Sequence, residues 1–149
     1  MIYLDTSYLG RIYMEDEKSP MIHKLIGSND QIVCCIHGKA ELFSAFHRRF
    51  REGVYSLSQI RKMMEQVHLD TLHENISWIS LDEKTISHTE KIYSVAPRDC
   101  FLRGADALHL ACARENGFKE IYSNDKHLLA AAPLFGLKGK NIFSTDSLI

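Results

Sequence analysis

The sequence lacks the features of several protein classes. It contains no run of about 18 consecutive apolar residues, so a membrane span is not expected. Its four cysteines include no C-x-x-C pair, which argues against a zinc knuckle or a thioredoxin-like site and favours reduced thiols. The first residues carry no basic stretch ahead of an apolar run, the mark of a secretory signal. We therefore expect a cytoplasmic protein with no membrane partner.

The chain also lacks an excess of charge of either sign. It has 18 Lys and Arg against 19 Asp and Glu, a net charge of −1. Such a chain has no overall attraction for nucleic acid, so any site for a polyanion must be a local patch. With 149 residues, 45% of them hydrophobic and 25% charged, the sequence predicts one globular domain that spans residues 1–149.

Short apolar runs typical of buried strands alternate with stretches of helical periodicity. The strand candidates are 1–4, 31–36, 76–81, 121–122 and, at one edge, 140–143. The helix candidates are 9–14, 20–27, 40–50, a helix capped by Ser56, another capped by Asp82, 105–116, and an Ala-rich helix up to Pro133. This alternation predicts an α/β fold, with a short parallel sheet of four or five strands flanked by helices.

Acidic residues fall where the strands of this predicted sheet end. Asp5 and Asp125 directly follow strands, Glu41 lies in the first turn of the helix after the second strand, and Asp106 begins a later helix. Each acid alone could simply cap a helix. Together they lie near the carboxyl edge of the sheet, where open parallel sheets bind ligands. Carboxylates that converge repel one another unless a cation is shared, and ligands without His or Cys favour Mg²⁺ or Mn²⁺.

Four motifs around these acids occur in the order seen in a known family. They are MIYLDTS at 1–7, AEL at 40–42, ADALHLA at 105–111 and SNDK at 123–126. Together they resemble the PIN-domain nucleases, most closely the VapC-type toxin ribonucleases of bacterial and archaeal toxin–antitoxin pairs. The resemblance implies a single PIN-like domain that forms a homodimer, cleaves RNA and is inhibited by a cognate antitoxin protein. It implies that the catalytic metal ligands are Asp5, Glu41, Asp106 and Asp125.

The resemblance also marks accessory positions and two departures. Thr6 and Ser123 match polar positions beside the acids. Gly38 stands three residues before Glu41, where the family usually has a Ser or Thr that can cap the helix. The segment 93–103 is longer and more polar than is usual in the family, so it is a region where substrate contacts can differ.

Arginines near the acids are candidates for contact with the RNA backbone, for which the guanidinium group is well suited. Arg48, Arg49 and Arg51 continue the helix that carries Glu41, and Arg103 precedes Asp106. The alternative for the 47–51 run is a solvated helix face.

Two histidines also lie near the predicted site. His109 lies on an Ala- and Leu-rich helix, where a packed, hydrogen-bonded residue is more common than a metal ligand. His37 follows a strand at the predicted site edge, so it either contacts substrate or is a loop residue without a role.

The function that unites these residues is that of a metal-dependent endoribonuclease using Mg²⁺ or Mn²⁺. Two other functions match parts of this pattern. An aspartyl-phosphate phosphatase of the haloacid-dehalogenase type also places an Asp after its first strand, but it needs a second Asp two positions later, where this chain has Ser7. A catalytically silent PIN-like domain that binds RNA or scaffolds a complex remains the alternative, although all four acids are present.

Overall fold

A row of five parallel strands forms the centre of the protein, described by a computed structural model over residues 1–27 and 31–144. The strands are β1 (Ile2–Tyr3), β2 (Ile32–Cys35), β3 (Ile76–Ile79), β4 (Glu120–Tyr122) and β5 (Lys138–Lys140). β1 pairs with β2, β2 with β3, and β4 with β5, all in parallel. A single parallel bridge between Leu4 and Tyr122 joins the two groups, which gives the order β3-β2-β1-β4-β5.

Helices connect the strands, as the alternating pattern predicts. They are α1 (Thr6–Tyr13), α2 (Ser19–Gly27), α3 (Ile36–Arg51), α4 (Leu57–Leu72), α5 (Glu83–Val95), α6 (Gly104–Glu115) and α7 (Lys126–Ala131), followed by a 3₁₀ turn (Ala132–Phe135). The predicted α/β fold and its short parallel sheet are therefore confirmed. Among the helices in residues 1–27 and 31–144, none combines the length and the apolar composition of a membrane span.

Each face of the sheet is covered by its own hydrophobic core. Along β2, Ile32 and Cys34 belong to one core, whereas Val33 and Cys35 belong to the other, because successive side chains of a strand point to opposite faces. Helices α1 to α4 contribute to the first core and α5 to α7 to the second. Burial on both faces explains why β1 and β2 are continuous apolar runs.

Polar side chains fix the helix starts that the sequence predicts. Asp5 accepts a hydrogen bond from the Tyr8 backbone N–H at the start of α1, and Asp82 accepts one from the Thr85 backbone N–H at the start of α5. At the start of α4, Ser56 and Gln59 form a reciprocal capping box. These caps satisfy backbone N–H groups that have no partner inside the helix.

The structure corrects three element boundaries. α3 begins at Ile36, directly after β2, so Glu41 lies in its second turn and not in the first. The last strand is Lys138–Lys140, because residues 138–140 pair with β4, whereas 140–143 was expected. α5 continues to Val95, so the loop before α6 is 96–103 and is shorter than the 93–103 segment singled out in the sequence.

Candidate active site

The four acids line one open cavity of about 830 Å³. Asp5 follows β1 and Asp125 lies three residues beyond β4, while Glu41 and Asp106 reach the cavity from α3 and α6. The strand order reverses between β1 and β4, and in open parallel sheets such a reversal opens a crevice at the carboxyl ends of the strands. The sequence therefore predicted correctly that these four residues share one edge of the sheet.

Asp5 and Asp106 are the two buried acids of the group, with 5% and 7% of their surface exposed. The Asp5 carboxylate accepts hydrogen bonds from Ser7 Oγ at 2.6 Å, from the Tyr8 backbone N–H at 3.2 Å and from Ser123 Oγ. Burial raises the pKa of Asp5, although the charge of His109 and these hydrogen bonds act in the opposite direction. The ionised form is thus short of compensating charge, which a bound cation would supply.

Glu41 is held by partners from distant parts of the chain. Its Oε2 atom lies 2.7 Å from Thr6 Oγ1, which donates to it, and 2.8 Å from His109 Nε2. Burial acts to raise the pKa of Glu41, but the hydrogen bonds and charge of His109, with the Thr6 hydroxyl, lower it to about 2. His109 is itself positioned by Tyr3, whose hydroxyl lies 3.1 Å from His109 Nδ1.

Asp106 and Asp125 are joined by one cation. The Arg103 guanidinium lies 2.8 Å from Asp106 Oδ2 and also forms an ion pair with Asp125. Burial acts to raise the pKa of Asp125, but backbone N–H groups of His127 and Leu128, together with the Arg103 charge, lower it. Asp125 is therefore an N-cap of α7 and also a member of the cavity lining.

The chemistry of this donor set fits a hard divalent cation, because all four acids offer oxygen atoms. The four acids do not, however, form a tight carboxylate cluster. Within 1–27 and 31–144, one group of three candidate ligands has its donor atoms within 4.8 Å of one another, and it consists of His37, Glu41 and His109. A cation shared by the acids would therefore draw them closer or contact some of them through water.

Thr6 and Ser123, the predicted accessory residues, each donate a hydrogen bond to one of the acids. The candidate arginines lie in different places in the fold. Arg48 and Arg103 line the cavity with the acids, while Arg49 lies in an adjoining groove and bonds Glu52 at 3.3 Å. The exposed Arg51 lies in the last turn of α3.

Gly38 has a role other than the cap position suggested by its place before Glu41. It lies inside α3, whose N-cap residue Cys35 makes no side-chain capping bond. A Cβ atom at Gly38 would lie 2.6 Å from Cys34 Sγ and 3.0 Å from His109 Cε1. The absent side chain therefore lets α3 approach the histidine that holds Glu41.

Both histidines lie closer to the acids than the sequence predicts. His109 is a buried, hydrogen-bonded residue, as favoured, but its partner is one of the four acids. His37 lies in the first turn of α3 and is not a loop residue; its Nε2 atom lies 3.8 Å from Glu41 Oε2 and 3.1 Å from the Ala105 carbonyl oxygen. The spacing of His37 and Glu41, four residues apart on one helix, was the available signal.

Similar folds occur in solved structures with low sequence identity. VapC20 from Mycobacterium tuberculosis, titled a sarcin-ricin loop cleaving toxin, is 16% identical, with a TM-score of 0.67 over 88% of this chain and 95% of its own. VapBC2 from Rickettsia felis, bound to a DNA fragment from its promoter, is 15% identical, with a TM-score of 0.66 over 95% and 98%. FitAB, bound to an IR36 DNA fragment, is 15% identical to this chain, with a TM-score of 0.67. The match covers 95% of this chain and 94% of the FitAB chain.

A family model provides the assignment that these distant structures alone do not. No curated protein sequence matches the chain. The model of the PIN domain, however, matches residues 2–133, which include every element that carries or flanks the four acids, from β1 to α7. The chain belongs to the PIN-domain family.

Proposed function

We propose that this protein is a metal-dependent endoribonuclease and the toxin of a type II toxin–antitoxin pair. The observation that carries the proposal is the cavity itself, in which four carboxylates and two arginines converge at the reversal of strand order. Carboxylates suit a divalent cation, and arginines suit the phosphates of a nucleic-acid backbone. The similar folds of VapC20, VapBC2 and FitAB support the toxin–antitoxin assignment.

Asp5, Glu41, Asp106 and Asp125 would hold one or two Mg²⁺ or Mn²⁺ ions, directly or through water. Such an ion, when bound, lowers the pKa of water and offsets negative charge at the phosphate. The protein's own residues keep the ligands in place: Ser7 and Ser123 orient Asp5, and Thr6 and His109 orient Glu41. Asp5 and Glu41 are thus held in a defined orientation before the substrate binds.

Arg48 and Arg103 would position the RNA backbone across the cavity. Water attacks the phosphorus, the bond to the 3′ oxygen breaks, and the proton from water ends on that oxygen. The products are a 5′-phosphate and a 3′-hydroxyl, and no residue forms a covalent intermediate. We further propose that the protein acts in the cytoplasm as a homodimer and that a cognate antitoxin covers the acidic cavity.

Cleavage of RNA by the purified protein tests the proposal. Wild-type protein should cleave RNA in Mg²⁺ or Mn²⁺, stop in a chelator, and leave 5′-phosphate ends in sequencing of the fragments. Asp106→Asn purified in parallel is the control for contaminating ribonucleases. Metal-independent cleavage, or equal cleavage by this variant, would contradict the proposal. RNA binding without cleavage in either metal would favour the silent RNA-binding domain instead.

A further inference from the structure

We propose that His37, Glu41 and His109 form a binding site for a transition-metal ion, with Zn²⁺ as the best-suited ion. Their donor atoms lie within 4.8 Å of one another, and Glu41 Oε2 is 2.8 Å from His109 Nε2 and 3.8 Å from His37 Nε2. Zn²⁺ binds imidazole nitrogen at about 2.0–2.1 Å and carboxylate oxygen at about 2.0–2.2 Å, so tetrahedral ligands lie about 3.3 Å apart. The observed separations bracket that spacing.

All three side chains are carried by helices and not by loops. His37 and Glu41 are one helical turn apart on α3, and residues at this spacing share a helix face. His109 comes from α6 on the other side of the cluster, and its ring lies 4.2 Å from that of His37 between centroids. Gly38 permits this approach, because a Cβ atom there would collide with the His109 ring.

The surroundings of the two imidazoles suit metal coordination. The Tyr3 hydroxyl contacts His109 Nδ1 and so directs Nε2 of His109 towards Glu41, the arrangement by which outer partners orient metal-binding histidines. His37 Nε2 contacts the Ala105 carbonyl oxygen at 3.1 Å, and coordination through this atom replaces that hydrogen bond. The ring proton then lies on the buried Nδ1, and Cys35 is a side-chain partner of this imidazole.

A site of two imidazoles and one carboxylate prefers different ions than the site formed by the four acids. Nitrogen ligands favour Zn²⁺, Co²⁺ and Ni²⁺, whereas Mg²⁺ prefers oxygen. Three protein ligands leave a fourth position for water, as in other sites of two histidines and one glutamate. Because Glu41 belongs to both ligand sets, Zn²⁺ withdraws it from the acidic site and inhibits Mg²⁺-dependent cleavage. Binding stands without the proposed function, whereas this inhibition rests on it.

Calorimetric titration of the chelator-treated protein with Zn²⁺, without RNA, tests the site. We expect one ion per chain, and we expect His37→Gln to weaken binding by about 100-fold or more, since loss of an outer partner alone costs about 10–100-fold. His47→Gln is the matched control, because His47 is exposed further along the same helix. Zn²⁺ affinity unchanged in His37→Gln would overturn the proposal.

Imidazole ¹⁵N shifts of the wild-type protein give a measurement that does not depend on any variant folding. Of the eight histidines, Zn²⁺ should shift those of His37 and His109 alone. Shifts confined to other histidines would overturn the site. In cleavage assays, Zn²⁺ should inhibit the wild type more strongly than His37→Gln. If Zn²⁺ binds as expected but Mg²⁺ supports no cleavage, the site stands and the ribonuclease proposal fails.

Discussion

The two sides of the acidic cavity are built by different physical means. On one side, Asp5 and Glu41 are held by hydroxyl, imidazole and backbone N–H groups. On the other, Asp106 and Asp125 share the Arg103 guanidinium, whose side chain is 54% exposed. The first side is held by several hydrogen bonds from separate groups, while the second is held by one exposed guanidinium, whose charge solvent screens and a competing cation can replace.

The largest expected effect comes from removing one carboxylate charge on each side. Asp5→Asn and Asp106→Asn should each lower Mg²⁺-dependent cleavage by at least about 100-fold in single-turnover assays, because each removes a proposed metal ligand. Circular dichroism provides the control for folding. Wild-type activity in either variant would remove that residue from the site.

The pH dependence of stability in the same Asp5→Asn variant tests the effect of burying the Asp5 carboxylate. Burial raises the pKa of Asp5, so its ionised form reduces stability above that pKa. Without metal, Asp5→Asn should therefore melt at or slightly above the wild-type temperature near pH 7. The gain should vanish as pH falls below the ordinary aspartate pKa of 3.8, where the unfolded chain is protonated too. A gain independent of pH would contradict this account.

Asp125→Ser separates the capping role of Asp125 from a metal-binding role. Ser keeps an oxygen for the backbone N–H groups of His127 and Leu128, so the variant should lose little of the roughly 0.5–2 kcal/mol of a cap. Cleavage should fall by about 10–100-fold and recover partly in Mn²⁺. Full activity at low metal would make Asp125 a cap only and leave three acids in the site.

Gly38→Ala tests the close packing beneath Glu41. Helix propensity alone favours Ala by about 1 kcal/mol, but the Cβ atom would overlap Cys34 and His109, and overpacking typically costs 1–3 kcal/mol. We expect net destabilisation of about 1 kcal/mol in urea unfolding. Gly104→Ala is the control, because a Cβ atom there meets nothing within 4 Å. Equal effects of the two changes would contradict the packing argument.

Arg103→Gln tests whether Asp106 and Asp125 are held by a replaceable cation. Because Arg103 competes for Asp106 and Asp125, its loss should tighten Mn²⁺ binding by about fivefold in calorimetry without RNA. Arg98→Gln, in the same 96–103 loop but outside the cavity lining, should leave Mn²⁺ affinity unchanged. Weaker Mn²⁺ binding in Arg103→Gln would show that Arg103 supports the ion.

The smallest expected effect concerns the arginines of α3, among which the sequence alone gives no reason to distinguish. Arg48 lines the cavity and Arg51 does not, so Arg48→Ala should reduce the salt slope of RNA binding by about 0.7, one phosphate contact. Arg51→Ala should leave the slope unchanged. If the salt slope of RNA binding is equal in both variants and the wild type, residues 47–51 form only a solvated helix face.

Several features were predictable because local sequence encodes them. The apolar strands, the caps at Asp5, Ser56 and Asp82, and the acids at strand and helix ends follow from residue types and their spacing. The start of α3 was misplaced because the strand QIVCCI passes directly into the helix and Cys35 is not a typical cap residue. The final strand was misplaced because its sequence, KGK, has no apolar pattern and its position depends on pairing with β4.

The sequence by itself determined the alternation of strands and helices and the edge at which the acids meet, since short-range patterns and the rule for parallel sheets suffice for both. Only the tertiary structure decided what each acid touches. His109 reaches Glu41 across 68 residues of chain, Ser123 reaches Asp5 across 118, and Arg103 bridges to Asp125 across 22. Such contacts arise when helices pack on a common sheet, and no local periodicity records them.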